Sequence, residues 1–591
     1  MRLAAAALCA LVVAAPALAA PSAPVDAGQP DLVETPFTGD PAEPQLSDRE
    51  ATARFLANPK VAAWLDRYPP DPRTDADFRR DEQRWTVKVW SGDAGQIALG
   101  KVDDRSGAVT EAWTGPQVAW KMARGYDGAF GGKTLNSVPV WLGFCLVFLL
   151  GLADLRRPLA LRNLDLLALL SFSISLWFFD RGEIFWSAPL ALPPLLYLVA
   201  RLGWIGARGR RPAAARPVWP VWVLAAATVF LLGFRVGLNV EAPYSVIDVG
   251  YAGVIGAHRI ASGQAPYGHF PIQGDRPACG PADSEGEIRN RVQTNGRCES
   301  SNDRGDTYGP VSYLAYVPGY WLFGWTGKWP GETLPAVHFT SIAFDLLAVV
   351  GMGLVGLRFG GARLAATLAF AWAAYPFTQY ASNSNSNDSI PAVLLIFGFW
   401  LVTSPWARGA AVALAGWTKF AALVVAPLWI GYRRRDAGRT ALAFLVATFV
   451  SFLVLLLEPD LVEAVRTFVE RTFVWQLDRE SPFSIWGWGQ YEAEGVPDLK
   501  VIQRVLQTLL VVAAIAVAFV PRRPSPLQLA ALTGALLAGF EVVLTHWFYL
   551  YIPWFFPFAA FALLAGAPAL AQRRQEEARR GSEPRELVAA G

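Results

Sequence analysis

Residues 217–237, PVWPVWVLAAATVFLLGFRVG, form an apolar run whose length decides the class of this protein. A helix needs about 20 residues to cross roughly 30 Å of hydrocarbon, and this run is that long. A second run, residues 336–357, reads AVHFTSIAFDLLAVVGMGLVGL and contains one acidic side chain, Asp345. In lipid only helices and closed barrels satisfy every backbone polar group, and runs of this length predict helices. The sequence therefore predicts a helical membrane protein.

The composition supports this prediction. The chain has 591 residues, of which 53% are hydrophobic and 17% are charged, whereas soluble proteins carry roughly 25% charged residues. An ordinary cytosolic enzyme and a largely disordered chain are both excluded. The formal net charge of +3 is too small to indicate a nucleic-acid partner. The 24 tryptophans suit a chain with many membrane–water boundaries.

Apolar runs repeat from residue 137 onward. They predict a mainly α fold, a polytopic helical membrane bundle of about twelve spans plus a half-helix hairpin. We divide it into an accessory region (137–205), a core (217–567) with long outer loops (238–335 and 458–499), and a charged cytoplasmic tail (568–591). The predicted spans are 137–154, 165–180, 187–205, 217–237, 336–357, 363–380, 389–403, 418–432, 440–457, 500–520, 527–545 and 549–567.

Arginine clusters orient these spans. By the positive-inside rule the clusters face the cytoplasm. This orientation requires that 311–325 does not cross the membrane and that 407–432 forms a hairpin, with Lys419 on the outer side. In the alternative, 311–325 crosses and 407–432 is a single span. The clusters are Arg156-Arg157, Arg208 with Arg210 and Arg211, Arg433-Arg434-Arg435, Arg522-Arg523 and Arg573-Arg574.

The N-terminal part is predicted to lie outside the cytoplasm. Residues 1–20, MRLAAAALCALVVAAPALAA, have the pattern of a secretory signal peptide, with an uncleaved anchor helix as the alternative. Residues 21–50 are predicted to be a flexible leader. Residues 51–132 are predicted to form a small α+β extracytoplasmic domain, because 85–92 and 96–115 alternate apolar and polar residues around a turn at 103–107.

Asp248 is the candidate general base. It follows the 217–237 run by about ten residues, among apolar neighbours in the sequence. A carboxylate held in such surroundings can accept a proton from a reacting hydroxyl group. The alternative is an Asp that caps a helix or forms a salt bridge.

Further polar side chains occur where apolar segments begin or break. Asn387 and Asp388 end an Asn-rich loop, and such side chains can cap a helix or bind sugar hydroxyl groups. Lys419 lies between two apolar segments, where it needs an anionic partner unless it extends to the headgroups. The second outer loop contains Arg471 and Arg479, and guanidinium groups bind phosphate well.

Several short motifs, given at the end of this paragraph in chain order, make region 217–567 resemble the GT-C superfamily of polytopic glycosyltransferases. The closest group is the polyprenol-phosphate-dependent mannosyltransferase-like proteins, glycosyltransferase family 87. The 51–132 region similarly resembles the PepSY-type extracytoplasmic fold, a helix packed on a small sheet. The motifs of the core are Asp248 with Tyr251, Gly263-Gln264-Ala265-Pro266-Tyr267, Tyr308-Gly309-Pro310, Asn387-Asp388, Thr418-Lys419 and Arg479-Glu480-Ser481-Pro482-Phe483-Ser484.

The resemblance implies an inner-membrane enzyme that transfers a hexosyl group from a polyprenyl phosphate to an extracytoplasmic acceptor, with inversion. Asp248 would be the base. The donor phosphate would bind Lys419, Arg471 and Arg479, whose charges oppose the developing negative charge. The sugar and acceptor pocket would include Tyr251, Tyr308, Asn387, Asp388 and His546. No cofactor is required, although Glu241 or Asp306 could help to hold a divalent ion.

Residues 273–304 form an insert in the first outer loop that departs from the family pattern. Its two cysteines, Cys279 and Cys298, form a disulfide in an oxidising compartment, with two free thiols as the alternative.

Two other classes of function compete with the enzyme. A transporter or lipid flippase needs ionisable residues deep in the membrane, and Asp345 and Glu541 are the deep acidic candidates. A sensor or envelope assembly protein would act through the N-terminal domain and would not need Asp248.

Overall fold

The computed structural model describes residues 43–124, 128–209, 219–270, 276–280, 288, 290–292, 298–300, 305–326, 334–477 and 480–565. Within these residues, six helices are long and apolar enough to cross a membrane, and four shorter helices are also apolar. The chain is therefore a helical membrane protein. The predicted signal peptide, most of the leader, Arg479 and the tail lie outside the described residues.

The N-terminal domain is a four-stranded antiparallel sheet with helices packed on it. The strands follow the chain in the order β1-β2-β3-β4. Phe55 of the first helix packs with Val87 and Ile97 in a fully buried core. The elements are α1 (Asp48–Leu56), α2 (Pro59–Leu65), β1 (Arg73–Arg79), β2 (Arg84–Ser91), β3 (Gly95–Asp103), β4 (Val109–Thr114) and α3 (Pro116–Arg124).

The membrane bundle consists of helices that run back and forth. Their bounds are α4 (Lys133–Asn136), α5 (Val138–Leu152), α6 (Leu161–Leu170), α7 (Phe172–Phe179), α8 (Ile184–Leu190), α9 (Leu192–Arg208), α10 (Val221–Glu241), α11 (Asp248–Ala261), α12 (Pro310–Leu314), α13 (Val317–Phe323), α14 (Pro335–Ala374), α15 (Pro376–Asn383), α16 (Ser389–Trp400), α17 (Pro405–Gly416), α18 (Ala426–Gly431), α19 (Ala437–Phe452), α20 (Leu461–Val469), α21 (Trp475–Leu477), α22 (Lys500–Ala516), α23 (Pro526–Val543) and α24 (Ile552–Leu564).

Helix α14 consists of two segments that meet at Gly361. This glycine has a φ of 72°, which side-chain-bearing residues rarely adopt, so the helix breaks there. A Cβ on Gly356 would lie 2.4 Å from the backbone nitrogen of Ala365, which shows how closely the two segments approach after the break. The predicted spans 336–357 and 363–380 therefore correspond largely to the two segments of α14, and the chain reverses direction between them.

The segment 405–431 is folded back on itself. Helix α17 ends at Gly416, where a Cβ would lie 2.3 Å from Leu423, and Ala411 and Trp429 both approach Gly398. The chain thus reverses around residues 417–419 and returns through a 3₁₀ segment, Phe420–Val425, into α18. The short helices α12 and α13, which cover most of the predicted non-crossing segment 311–325, have five and seven residues. Seven helical residues are far too few to cross the membrane.

The connections of the bundle collect at two ends. At one end, which we call the basic end, Arg434 donates to the carbonyl oxygen of Phe519 and Gln528 to that of Gly206. At the other, the domain end, Asn383 donates to the carbonyl oxygen of Gly131, in the segment that leaves the N-terminal domain. The basic end carries the described arginines of the clusters near residues 208, 434 and 522.

The first outer loop contains a small covalent closure. Cys279 and Cys298 form a disulfide with a Cα–Cα distance of 5.9 Å. Strands β5 (Asn290–Val292) and β6 (Cys298–Ser300) pair antiparallel beside it. The predicted disulfide is thus present in the structure.

Candidate functional site

The turn of the folded-back segment places Lys419 in a cage of aromatic rings. Its ammonium nitrogen lies 4.6 Å from the ring centre of Tyr308, 5.4 Å from Tyr551 and 5.9 Å from Trp554. The residue is 8% exposed. Ring faces attract cations, and the attraction grows as water is removed. The cage therefore stabilises a lysine that would otherwise be poorly placed near the membrane.

Asp388 completes the cage. Its Oδ1 atom lies 3.2 Å from the ammonium nitrogen of Lys419 and accepts a hydrogen bond from the indole of Trp554 at 3.1 Å. Its Oδ2 atom is buried and has no hydrogen-bond partner among the described residues. A buried carboxylate oxygen without a partner is unfavourable, so this atom has unused capacity to accept a hydrogen bond.

The Tyr308-Gly309-Pro310 motif contacts the lysine turn because residue 309 has no side chain. A Cβ on Gly309 would lie 2.1 Å from the carbonyl oxygen of Trp417. The same oxygen accepts a hydrogen bond from the backbone N–H of Val311 at 3.1 Å. This close backbone contact holds the Tyr308 ring over Lys419.

The Asn-rich loop, residues 382–388, belongs to the same cluster of side chains around Lys419. Asn387 donates from its amide to Ser312 Oγ at 2.6 Å, and its own amide oxygen is buried without a partner among the described residues. Asn385 adopts a φ of 53°, a left-handed conformation that Asn tolerates better than most residues. The loop is fully buried, so these polar groups face protein rather than water.

Arg471 reaches the cluster through Asp306. Its Nε atom lies 3.7 Å from Asp306 Oδ2, and its guanidinium group stacks on Trp475 at 3.9 Å. Asp306 is fully buried and also accepts a hydrogen bond from the backbone N–H of Gly268 at 2.7 Å. Asp306 is two residues from Tyr308, so both predicted phosphate-binding cations within the described residues contact the 306–308 segment.

Asp248 differs from its predicted setting. It begins α11 and its side chain is exposed, so the apolar surroundings expected from neighbouring residues are not present. The apolar neighbours point elsewhere because a helix directs successive side chains to different faces. Position 248 is nevertheless close to the Asn-rich loop: Ile247 N–H donates to the Ser384 carbonyl oxygen at 3.2 Å, and a Cβ on Gly250 would meet the Asn385 carbonyl oxygen.

The other predicted pocket residues lie on other elements of the fold. Tyr251 packs edge-on against Trp325, at a centroid distance of 6.2 Å. His546 is half-buried in the turn between α23 and α24. Glu241 accepts a hydrogen bond from Thr134 at 2.8 Å.

Tyr551 and Trp554 were missed by sequence reasoning. They lie at the start of α24, more than 130 residues from Lys419, and are stacked with centroids 4.3 Å apart. Their aromatic-rich surroundings, residues 547–558, resemble an interfacial belt, and no spacing rule singles out these two rings. The one available signal was the need of Lys419 for partners.

A second buried ion pair lies elsewhere in the bundle. Asp345 receives hydrogen bonds from Arg235 Nε at 2.8 Å, from Arg235 Nη2 at 2.5 Å and from the Trp372 indole at 2.8 Å. Asp345, a candidate for a transport role, is therefore bound on both oxygens. Glu541, the other such candidate, accepts from the Trp547 indole at 3.1 Å.

Within the described residues, no group of three or more His, Cys, Asp or Glu side chains could hold a metal ion. Comparison with protein-family models, with curated proteins and with solved structures finds no match for this chain.

Proposed function

We propose that this protein is a membrane glycosyltransferase that moves a hexosyl group, mannose-like, from a polyprenyl phosphate to an acceptor hydroxyl. One observation carries the proposal: segments from four distant parts of the chain meet around Lys419. They supply Tyr308, Asp388, Lys419 itself, and the pair Tyr551 and Trp554. Three of the four segments carry motifs of the glycosyltransferase resemblance.

The cations of the cluster suit a phosphate leaving group. An ammonium has three N–H donors, and Asp388 takes one of those of Lys419, which leaves two for phosphate oxygens. Arg471 is 21% exposed on its side chain and adds a planar donor group beside Asp306. Fixed positive groups near a departing phosphate stabilise its developing charge without rearrangement.

The reaction breaks the bond between the sugar C1 atom and the phosphate oxygen, and the electron pair stays with the phosphate. A bond forms between C1 and the acceptor oxygen, whose proton passes to Asp248. The exposure of Asp248 makes it accessible to an incoming acceptor, and the nearby residues Ile247 and Gly250 contact the Asn-rich loop at Ser384 and Asn385. A single displacement inverts the configuration at C1, so no carboxylate nucleophile is needed.

We further propose an inner-membrane location with the domain end outside the cytoplasm. The arginine-rich turns of the basic end support this orientation by the positive-inside rule. The Asn-rich loop, Lys419 and the N-terminal domain then share the extracytoplasmic side, where a lipid-borne sugar would be presented.

The test uses membranes enriched in the full-length protein and a short-chain polyprenyl phosphomannose labelled in the sugar. Transfer of label into products other than the donor is measured. We expect Asp248→Asn and Lys419→Gln each to reduce transfer by about 100-fold or more. Lys101→Gln is the matched control, because Lys101 is a buried lysine paired with Glu82 in the N-terminal domain. Unchanged transfer in well-folded Asp248→Asn protein would remove Asp248 as the base, and no transfer by the wild type would overturn the proposal for this donor.

A further inference from the structure

A cleft lies between the N-terminal domain and the outer connections of the bundle. Its volume is about 370 Å³, within the range of about 300–1,000 Å³ that small-molecule sites occupy. Helix α2 forms one wall through Trp64. Phe185 and Trp488 form the opposite wall, and the backbone of residues 495–497 closes one side.

The two walls are held together by direct contacts. The ring of Trp64 lies 5.7 Å from that of Phe185, and Phe185 lies 5.0 Å from Trp488. Arg67 and Glu494 exchange two hydrogen bonds: Glu494 N–H donates to the Arg67 carbonyl oxygen at 3.2 Å, and Arg67 Nη1 donates to the Glu494 carbonyl oxygen at 3.1 Å. The cleft is thus preformed, which lowers the entropic cost of binding a ligand.

The charged side chains of the lining are cationic. Lys60 and Arg67 both line the cleft and are exposed, and the lining includes no carboxylate. Burial lowers the pKa of the Lys60 ammonium, and the nearby Glu183 carboxylate opposes that shift. Lys60 Nζ donates to the carbonyl oxygen of Ala112 at 2.7 Å and Arg67 Nη1 to that of Glu494 at 3.1 Å, and the remaining N–H groups of the two cations can donate to an anion in the cleft.

The aromatic groups add a second kind of contact. Trp64 and Trp488 line the cleft but are largely buried, so only a small apolar part of each ring reaches it, and the C–H groups of a sugar can pack against that part. The indole N–H of Trp64 is buried and has no acceptor among the described residues. Trp64 is 6% exposed, so this donor is unsatisfied in the structure as described.

We propose that this cleft binds an acidic saccharide, a sugar chain that carries carboxylate groups. C–H groups of the sugar would pack against the exposed parts of Trp64 and Trp488, and a carboxylate would bind Lys60 and Arg67 through charge-assisted hydrogen bonds. The N-terminal domain is then a recruiting module for an anionic glycan. This role does not depend on the proposed transfer reaction, because it is a binding function at a separate place.

The test measures binding of trigalacturonate to the full-length protein in detergent by titration calorimetry. Maltotriose, a neutral sugar of similar size, is the ligand control. We expect trigalacturonate to bind at least tenfold more tightly than maltotriose, and less tightly as salt rises.

Two variants separate the two kinds of contact. The double variant Lys60→Gln/Arg67→Gln changes exposed side chains, and we expect it to weaken trigalacturonate binding at least tenfold. Trp488→Phe keeps a ring in the wall and is expected to weaken it about threefold. Arg80→Gln is the matched control, an exposed arginine of the same domain that does not line the cleft.

Equal binding of trigalacturonate and maltotriose would overturn the charge recognition. Unchanged binding in the double variant would show that the ligand binds elsewhere and would overturn the assignment of the cleft. Absence of binding by wild-type protein would overturn the proposal as a whole. None of these outcomes bears on sugar transfer, which is measured separately.

Discussion

Two buried ion pairs in the same bundle differ in how completely they are satisfied. Asp345 is bound on both oxygens by Arg235 and Trp372, and Arg235 also donates to the Ala373 carbonyl oxygen at 3.2 Å. Asp388 is bound on Oδ1 alone, and its Oδ2 atom has no partner among the described residues. The first arrangement is closed, whereas the second retains the capacity to bind another group.

The two pairs also use different cations. A guanidinium group matches a carboxylate in a planar two-bond contact, which suits a fixed structural link. An ammonium group is a compact charge with donors that rotate, and here three rings surround it. The Arg235–Asp345 pair joins helices α10 and α14, whereas the Lys419–Asp388 pair lies at the place where we propose sugar transfer.

The largest effect is expected when the closed pair is broken. Asp345→Asn places an amide N–H₂ against the guanidinium of Arg235, so two donors face each other in a buried position. Breaking such a pair typically costs about 3–5 kcal/mol. We expect a marked loss of thermal stability in detergent, measured by the fraction of protein that stays monodisperse after heating.

A double variant provides the control for that prediction. Arg235→Met with Asp345→Leu removes both charges, and apolar replacement of a whole buried pair is often tolerated. The double variant should therefore be more stable than Asp345→Asn. Equal instability of the two would contradict the interpretation of the pair as a simple structural link.

The same substitution at the open pair should have a smaller effect on stability and a larger one on activity. In Asp388→Asn the amide oxygen can still accept from Lys419 and Trp554, and the new N–H₂ group replaces an oxygen that had no partner. We expect a loss of about 1–3 kcal/mol, together with loss of sugar transfer in the labelled-donor assay. A stability loss as large as that of Asp345→Asn would show that the two pairs do not differ as we describe.

The single indole donor to Asp388 is a finer test. Trp554→Phe removes the N–H group and keeps an aromatic ring beside Lys419. Loss of one such hydrogen bond typically costs about 0.5–1.5 kcal/mol. Thermal unfolding in detergent should show this small decrease, and Trp429→Phe, which removes the indole donor to Thr533, is the matched comparison at a site without a charge. A larger decrease in thermal stability in Trp429→Phe than in Trp554→Phe would indicate that the charge of Asp388 does not strengthen its hydrogen bond with the Trp554 indole.

A third carboxylate, in the N-terminal domain, extends the comparison to pH. Asp104 accepts hydrogen bonds from the backbone N–H groups of Gln45 and Leu46 at 2.8 and 3.0 Å and from the Trp85 indole at 2.9 Å. Burial alone would raise the pKa of Asp104, but these three donors outweigh it and lower the pKa. A lowered pKa stabilises the fold when the carboxyl is ionised.

Asp104 therefore adds no pH dependence to the stability of the domain near neutral pH. Its stabilisation is fully present above the unfolded pKa, about 3.9, and is lost as the pH falls through the lower, folded value. Hydrogen exchange of the Gln45 and Leu46 amides should accelerate in this acidic range, after correction for intrinsic rates, in the wild type. In Asp104→Asn the exchange of these two amides should be faster already at pH 7, and it should show no further acceleration at acidic pH. An identical acid dependence in the two proteins would contradict the assignment.

Hydropathy was sufficient to predict the membrane bundle, because burial in lipid demands long apolar helices whatever their partners. It did not predict their breaks: the predicted span 165–180 is divided into α6 and α7 at Ser171. Strand β1 was missed because RTDADFR is polar, and its exposed, edge position removes the alternation that marks a half-buried strand.

The candidate site was predictable only in part. Lys419 and Asp388 could be selected because each is a polar group at a break between apolar segments, and Tyr308 was selected through the family resemblance. The Tyr551 and Trp554 rings could not, because a contact across more than 130 residues depends on how the helices pack. Arg235 was also overlooked, although an arginine inside an apolar run needs a buried anionic partner.

The docking of the N-terminal domain has a consequence for biogenesis. Its contact between Arg67 and Glu494 joins residues that are 427 positions apart. At synthesis rates of about 5–20 residues per second, the ribosome needs about 20–90 s to make the intervening chain. The small sheet can fold during that delay from its own sequence, but its partner surface does not yet exist, so the nascent protein must pass through a stage with the aromatic face of α2 uncovered.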